Sequence, residues 1–237
     1  MKKIPETLPN TMSMESIVIS NKYILIPTGN EYTVVDTGSP LSYHESGQLS
    51  FGGTIHDCQT SIVGVDGDRL SGEVGLPVAG LLGMDIINKH NSVCFDYGNA
   101  RIIVDDDRLE ESDITPLPSG RIMNTPYIDI SIEGRRARVF VDTGAPISYI
   151  SNSYTNGLAS INRLHDYNPA FGDFMTDIFE VNVNIGTDTH VMHLGNLPAL
   201  IQMSLGLVQV DGIIGYELFS RYAVLYRDGE WFVCRNT

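Results

Sequence analysis

Residues 34–43 read VVDTGSPLSY and residues 140–149 read FVDTGAPISY. Aligned from the aspartate, DTGSPLSY and DTGAPISY differ only at Ser39/Ala145 and Leu41/Ile147, and both changes are mild. Such a match within one short chain marks an internal duplication. A second pair follows in the same order: Gly80-Leu81-Leu82-Gly83 in the first half and Gly212-Ile213-Ile214-Gly215 in the second. A weaker third pair lies between them, Phe51-Gly52 with Asp57 and Phe171-Gly172 with Asp177. The intervals separating these landmarks are longer in the second half. Loops absorb such insertions readily, because closure entropy grows slowly with length.

The chain has 237 residues, a length that suits two lobes of roughly 100 residues each. The repeats divide it into a first lobe at 1–104, a linker at 105–120 and a second lobe at 121–237. The run DDDRLEESDITPLPSGR at 105–121 is charged, then punctuated by Pro and Gly, and reads as a solvated linker. Apolar residues make up 42% of the chain, enough for an ordinary core. The formal net charge of −14 repels nucleic acid and anionic membrane surfaces, so neither is an expected partner. Three cysteines, Cys58, Cys94 and Cys234, lack the paired spacing of a disulfide framework and read as small apolar residues. The opening MKKIPETLPNTMSMES has no apolar segment of a secretory leader, and no run approaches the ~18 apolar residues of a membrane span. A cytoplasmic address is the expectation.

Short strands are expected throughout. Ser16–Ile19, Tyr23–Ile26 and Tyr32–Val35 are apolar or β-branched runs separated by Asn, Gly and Pro. Tyr127 to Glu133 alternates apolar and polar residues, Gly134 turns the chain, and Ala137–Val141 returns into Asp142. Helical turns are expected only after the closing glycines, at Met84–Lys89 and Tyr216–Arg221. The fold class is therefore all-β, with one short helix per lobe.

In Asp-Thr-Gly at a strand end, aspartate supplies a carboxylate, threonine a hydroxyl on a stiff β-branched anchor, and glycine a tight turn. One such loop arises often by chance. Two copies, each followed by a pair of hydrophobic residues and a glycine, are far more specific. The arrangement resembles the aspartic protease clan of pepsin-like and retroviral-type enzymes, over a span from about Ile17 to Val233. The small lobes look more like two fused retropepsin-like subunits than a full pepsin.

The resemblance implies a bilobal acid-protease fold with a central cleft. Asp36 and Asp142 would be the catalytic pair, and Leu81-Leu82-Gly83 and Ile213-Ile214-Gly215 would brace the two loops from behind. Thr37-Gly38-Ser39 and Thr143-Gly144-Ala145 would support the dyad, the two threonines interlocking across the lobe interface. Ser39 is expected to hydrogen-bond the outer oxygen of Asp36, which Ala145 cannot do for Asp142. Losing that bond raises the apparent pKa of the dyad and moves the optimum toward mildly acidic or neutral pH. Flaps over the substrate are expected at Phe51-Gly52-Gly53-Thr54 and at Phe171-Gly172. The implied function is an aspartic endopeptidase acting on polypeptide as a monomer, with no metal or cofactor. The alternative is a catalytically silent peptide-binding module of the same fold.

Other features carry less. His190 and His193 lack a third ligand for a metal site, and the run Asp105–Asp107 lacks the alternation of a calcium loop. Trp231 reads as packing. A phosphotransfer reading, in which an Asp-x-Gly loop cradles phosphates, leaves the second DTG and both braces unexplained.

Overall fold

The computed structural model describes residues 12–62, 64–106, 113–168 and 172–234. Strands hold 52% of residues against 15% in helices, which makes the fold all-β.

The duplication is visible in the strand order. In the first half, Glu31–Val35 lies between Tyr23–Thr28, antiparallel, and Val78–Leu82, parallel. Tyr43–His44 then adds antiparallel to the far side of Val78–Leu82. In the second half, Arg135–Val141 lies between Thr125–Ile132, antiparallel, and Gly212–Ile214, parallel. Ser148–Ile150 adds antiparallel to Gly212–Ile214 in the matching place. Each DTG loop thus leaves the end of one strand and is flanked by a parallel neighbour that carries the hydrophobic-Gly brace.

Local chemistry explains these elements. Thr125–Ile132 alternates in burial, with Ile128, Ile130 and Ile132 inward. Its hairpin closes on Glu133 and Gly134, both at positive φ, the pairing that matches the twist of antiparallel strands. The returning strand begins at Arg135, two residues before the expected start. The expectation of one helix per lobe is too spare. Met84–Ile87 and Tyr216–Phe219 follow the closing glycines as expected, but Gly67–Val74, Asn152–Thr155 and Ala199–Leu207 are helical as well. The first of these starts on Asp66, whose side chain accepts from the Asp68 and Arg69 N–H groups, and stops at Gly75 with φ 78°.

A six-stranded antiparallel sheet joins the halves. Its order is Ser13–Ser16, Arg101–Val104, Ser92–Asp96, Ala223–Arg227, Glu230–Cys234, Ile114–Leu117, three strands from each side of the duplication. At its centre Val224 faces Phe95 and Leu225 faces Cys94. Trp231, fully buried, stacks on Phe95 at 6.1 Å between ring centroids and packs against Tyr226 at 4.9 Å. Side chains of this size contribute about 1.5–3 kcal/mol each when fully buried, so the shared sheet holds the halves firmly. Cys58, Cys94 and Cys234 are free thiols.

The reading of 105–120 as a solvated linker fails at its ends. Asp105 is buried, its carboxylate accepting from Asn91 N–H at 2.8 Å and lying 2.9 Å from His90 Nδ1. Asp106 is buried too, and Ile114–Leu117 forms the edge of the joining sheet. Residues 107–112 lie outside the described residues.

Candidate active site

Asp36 and Asp142 follow directly on the strands Glu31–Val35 and Arg135–Val141. Their backbone N–H groups donate to Leu82 and Ile214 of the parallel neighbours, each at 2.9 Å. The threonines that come next reach across to the opposite loop. Thr37 N–H donates to Thr143 Oγ1 and Thr143 N–H to Thr37 Oγ1, both at 3.0 Å. The Thr37 hydroxyl donates to Val141 C=O at 2.8 Å, and the Thr143 hydroxyl to Val35 C=O at 2.7 Å. Four buried bonds therefore tie the loops tip to tip.

This lock brings the carboxyl groups within hydrogen-bonding reach of each other. Each lies over the other loop's glycine. A Cβ on Gly38 would stand 2.5 Å from Asp142 Oδ2, and one on Gly144 would stand 2.6 Å from Asp36 Cγ. Only glycine permits that approach. The braces need glycine for the same reason. A Cβ on Gly83 would meet the Leu41 carbonyl at 2.5 Å, and one on Gly215 the Asp142 carbonyl oxygen at 2.8 Å.

Burial pushes the acidity of both carboxyls toward the protonated form. Asp142 is held well above the ordinary carboxylate range by desolvation and by the charge of Asp36 beside it. Asp36 is raised by desolvation, partly offset by its bond to Asp142 and by backbone N–H donors. Two carboxyls this close do not both ionise readily, so the pair holds one proton over a wide pH range.

Ser39 does not play the expected part. Its hydroxyl donates to Leu41 C=O at 2.7 Å, and its backbone N–H, not the side chain, donates to Asp36 Oδ1 at 2.9 Å. Asp142 Oδ1 receives Gly144 N–H at 2.8 Å in turn. Ala145 N–H donates instead to the Asp142 carbonyl at 3.2 Å, so each carboxylate takes a backbone donor, from residue 39 in one loop and residue 144 in the other. Two other side chains, outside the expected set, hold the braces. Ser42 Oγ accepts from Gly83 N–H at 2.8 Å, and Ser148 Oγ accepts from Gly215 N–H at 3.0 Å. Both are fully buried. Their signal was present in the sequence, since the serine is identical in the two copies of DTGxPxSY.

The dyad forms part of the wall of a cavity of about 140 Å³. Val34, Leu81, Ala145 and Ile213 surround it, and the helix Gly67–Val74 contributes Leu70 and Glu73. From the second half, Asn162–Asn168 and Gly172–Ile185 form a long hairpin that brings Asp166, Tyr167, Asn168 and Phe174 to the same cavity. Arg69 spans the gap between helix and hairpin. Its guanidinium lies over the Tyr167 ring, 4.4 Å from the centroid, and pairs with Asp173.

The flap expectation is overturned in the first half. Phe51 is 0% exposed within the core, and none of Phe51, Gly52, Gly53 or Thr54 lines the cavity. Gly52 N–H donates to Glu15 Oε1 at 3.1 Å, and His90 packs edge-on against Phe51 at 5.2 Å between rings. That hairpin is docked beside the joining sheet, because Phe51 is more stable in the core than over an open cleft. In the second half Phe171 lies outside the described residues, while Gly172 opens the strand that carries Phe174 to the cavity. The spacing match between Phe51–Asp57 and Phe171–Asp177 therefore joins two hairpins with different places in the fold. His190 and His193, three residues apart in one strand, face opposite ways: His190 Nε2 meets the Tyr222 hydroxyl and His193 lies 3.7 Å from Glu180. No group of three or more potential ligands is arranged to hold a metal ion among the described residues.

At the level of sequence the chain matches no family model and no curated protein. Solved structures do resemble it. One is a retropepsin-like aspartic protease from Rickettsia conorii, with TM-score 0.37 and 15% identity over 51% of this chain and 87% of that one. Another is Basic 7S globulin from soybean, with TM-score 0.51 and 8% identity over 97% of this chain and 96% of that one. The second likeness spans both halves. At such low identity it is a likeness of fold. The architecture is all-β. No helix among the described residues is long and apolar enough to cross a membrane.

Proposed function

We propose that the chain is an aspartic endopeptidase in which Asp36 and Asp142 together activate a water for attack on a peptide bond. The observation that carries this reading is the meeting of the two carboxyls, each over the other loop's glycine, at the wall of a cavity. The ionised carboxylate takes a proton from the water, whose oxygen attacks the carbonyl carbon. The protonated carboxyl donates to the carbonyl oxygen as charge develops there. The tetrahedral intermediate then breaks its C–N bond, and the amine departs with a proton delivered by the dyad. No side chain forms a covalent bond, in keeping with a pair whose only reactive groups are carboxyls.

The substrate is an extended polypeptide held in the cleft, and one chain is sufficient because both halves of the dyad lie on it. A cytoplasmic address goes with this proposal. The second reading, a silent peptide-binding module, is favoured by the likeness over nearly the whole chain to a protein described as a globulin. Incubation with a proteome-derived peptide library, read by mass spectrometry, separates the two. The endopeptidase reading expects new internal cleavages that fall at least about a thousandfold in Asp36→Asn and in Asp142→Asn. Cleavage that persists in either variant, or peptide binding without hydrolysis at any pH, overturns it.

A further inference from the structure

The cavity that holds the dyad contains another carboxyl that the proposed chemistry does not use. Asp166 sits in the strand Asn162–Asn168, is only 9% exposed, and accepts a hydrogen bond from the Tyr149 hydroxyl. Tyr149 closes the second DTGxPxSY repeat, so the loop that carries Asp142 also orients Asp166. Among the described residues Asp166 makes no ion pair. Glu73 lines the same cavity from the facing helix but is paired with Arg69 at 2.7 Å, and no Lys, Arg or His lines the cavity itself. Much of the remaining wall is apolar: Val34, Leu70, Phe174 and Leu197.

An apolar wall leading to a buried carboxylate suits one kind of side chain. Lysine and arginine combine an apolar stem with a cationic head, so the stem packs while the head pairs. A buried carboxylate with no cationic partner carries a standing desolvation cost, which an incoming cation relieves. An acidic substrate side chain would meet repulsion from Asp166 and the ionised member of the dyad at once. We infer that Asp166, oriented by Tyr149, is the specificity-determining residue for a lysine or arginine side chain flanking the scissile bond. This rests on the endopeptidase reading of the same site and names the substrate class for it.

Three measurements on the full chain test it separately from that reading. Cleavage-site profiling of the wild type is expected to show Lys or Arg enriched at one position beside the scissile bond, and Asp and Glu depleted there. For a matched pair of peptides with lysine or norleucine at that position, Asp166→Asn is expected to lower the Lys-to-norleucine ratio of kcat/KM at least tenfold. Binding of the same peptides to Asp36→Asn, by calorimetry, is expected to show the same preference, lost in the Asp36→Asn/Asp166→Asn double variant. Hydrolysis with no basic preference, or a ratio unchanged by Asp166→Asn, overturns the inference and leaves the peptidase reading intact. A basic preference in binding with no hydrolysis overturns the peptidase reading and with it the placement beside a scissile bond. The wild-type profile decides the matter even if Asp166→Asn does not fold.

Discussion

Thr37 and Thr143 exchange hydrogen bonds across the lobe interface, each backbone N–H donating to the other's hydroxyl at 3.0 Å. The two residues are 106 apart in sequence, so this exchange closes a long loop at the site. It also sets the separation of Asp36 and Asp142, since each threonine is the next residue along. The chemistry proposed for the dyad depends on a geometry that the threonines hold and the aspartates themselves oppose.

Replacing either threonine by valine keeps the shape and removes the hydroxyl. Thr37→Val strands Thr143 N–H and Val141 C=O, and Thr143→Val strands Thr37 N–H and Val35 C=O. At about 1–3 kcal/mol for each buried group left unpaired, either variant is expected to lose about 2–6 kcal/mol. Chemical denaturation measures this. Thr→Ser at the same positions, which keeps the hydroxyl, is expected to lose about 1 kcal/mol.

The dyad costs stability as pH rises. Both carboxyls are raised above the ordinary range, chiefly by desolvation, so the folded protein holds its protons more tightly than the unfolded chain does. The stability from that tighter binding is fully present below the unfolded value, about pH 4, and is lost as pH climbs through the folded values. Asp142→Asn removes one ionisation. Its melting temperature is expected to match the wild type near pH 3 and to exceed it increasingly toward neutrality, with each kcal/mol worth about 2–4 °C for a chain of this size. The same shifts place peptide hydrolysis in a bell, with its acidic limb above the usual carboxylate range. A scanning-calorimetry series across pH showing the variant no more stable at neutrality would contradict this.

The serines behind the braces are expected to matter for position as well as stability. Ser42→Ala and Ser148→Ala each leave a buried glycine N–H without its acceptor, a loss of about 1–3 kcal/mol. Leu82 and Ile214 hold the dyad backbone through their carbonyls, so a shifted brace moves a carboxylate. Peptidase activity measured where the variants remain folded is expected to fall mainly in kcat.

Arg69 links the helix Gly67–Val74 to the long hairpin through Tyr167 and Asp173. The helix and the hairpin both line the cavity of the dyad, so Arg69 ties two of its walls together. Arg69→Ala is expected to raise amide hydrogen exchange in residues 163–168 and 172–176 while leaving the joining sheet protected. Unchanged exchange in the hairpin would show that the contact restrains nothing.

Much of this was legible in the sequence, for a physical reason. The DTG loops and their braces are short, chemically constrained segments in which glycine, threonine and serine have few substitutes, and duplication displayed them twice. What could not be read depends on distant partners. Phe51 is an apolar residue in a hairpin whether it faces a cleft or a core, and only its packing against His90 decides which. The helix Gly67–Val74 had a readable cap in Asp66 and stop in Gly75, but Gly67 and Gly72 within it masked the pattern. Asp105 and Asp106 looked solvated in an acidic run, and Asp105 is buried because it serves His90 and Asn91. The Ser39 hydroxyl was assigned to Asp36 on residue type, whereas the local backbone offered it the nearer acceptor in Leu41.

Asp36 and Asp142 are expected to behave as one unit that shares a proton. Carboxyl carbon NMR of selectively labelled aspartate, assigned with Asp36→Asn and Asp142→Asn, follows the two groups directly across pH. Coupled titration is expected, with one proton retained well above the ordinary carboxylate range and each variant shifting the other residue's curve. Two independent curves near pH 4, indifferent to each other's replacement, would contradict it.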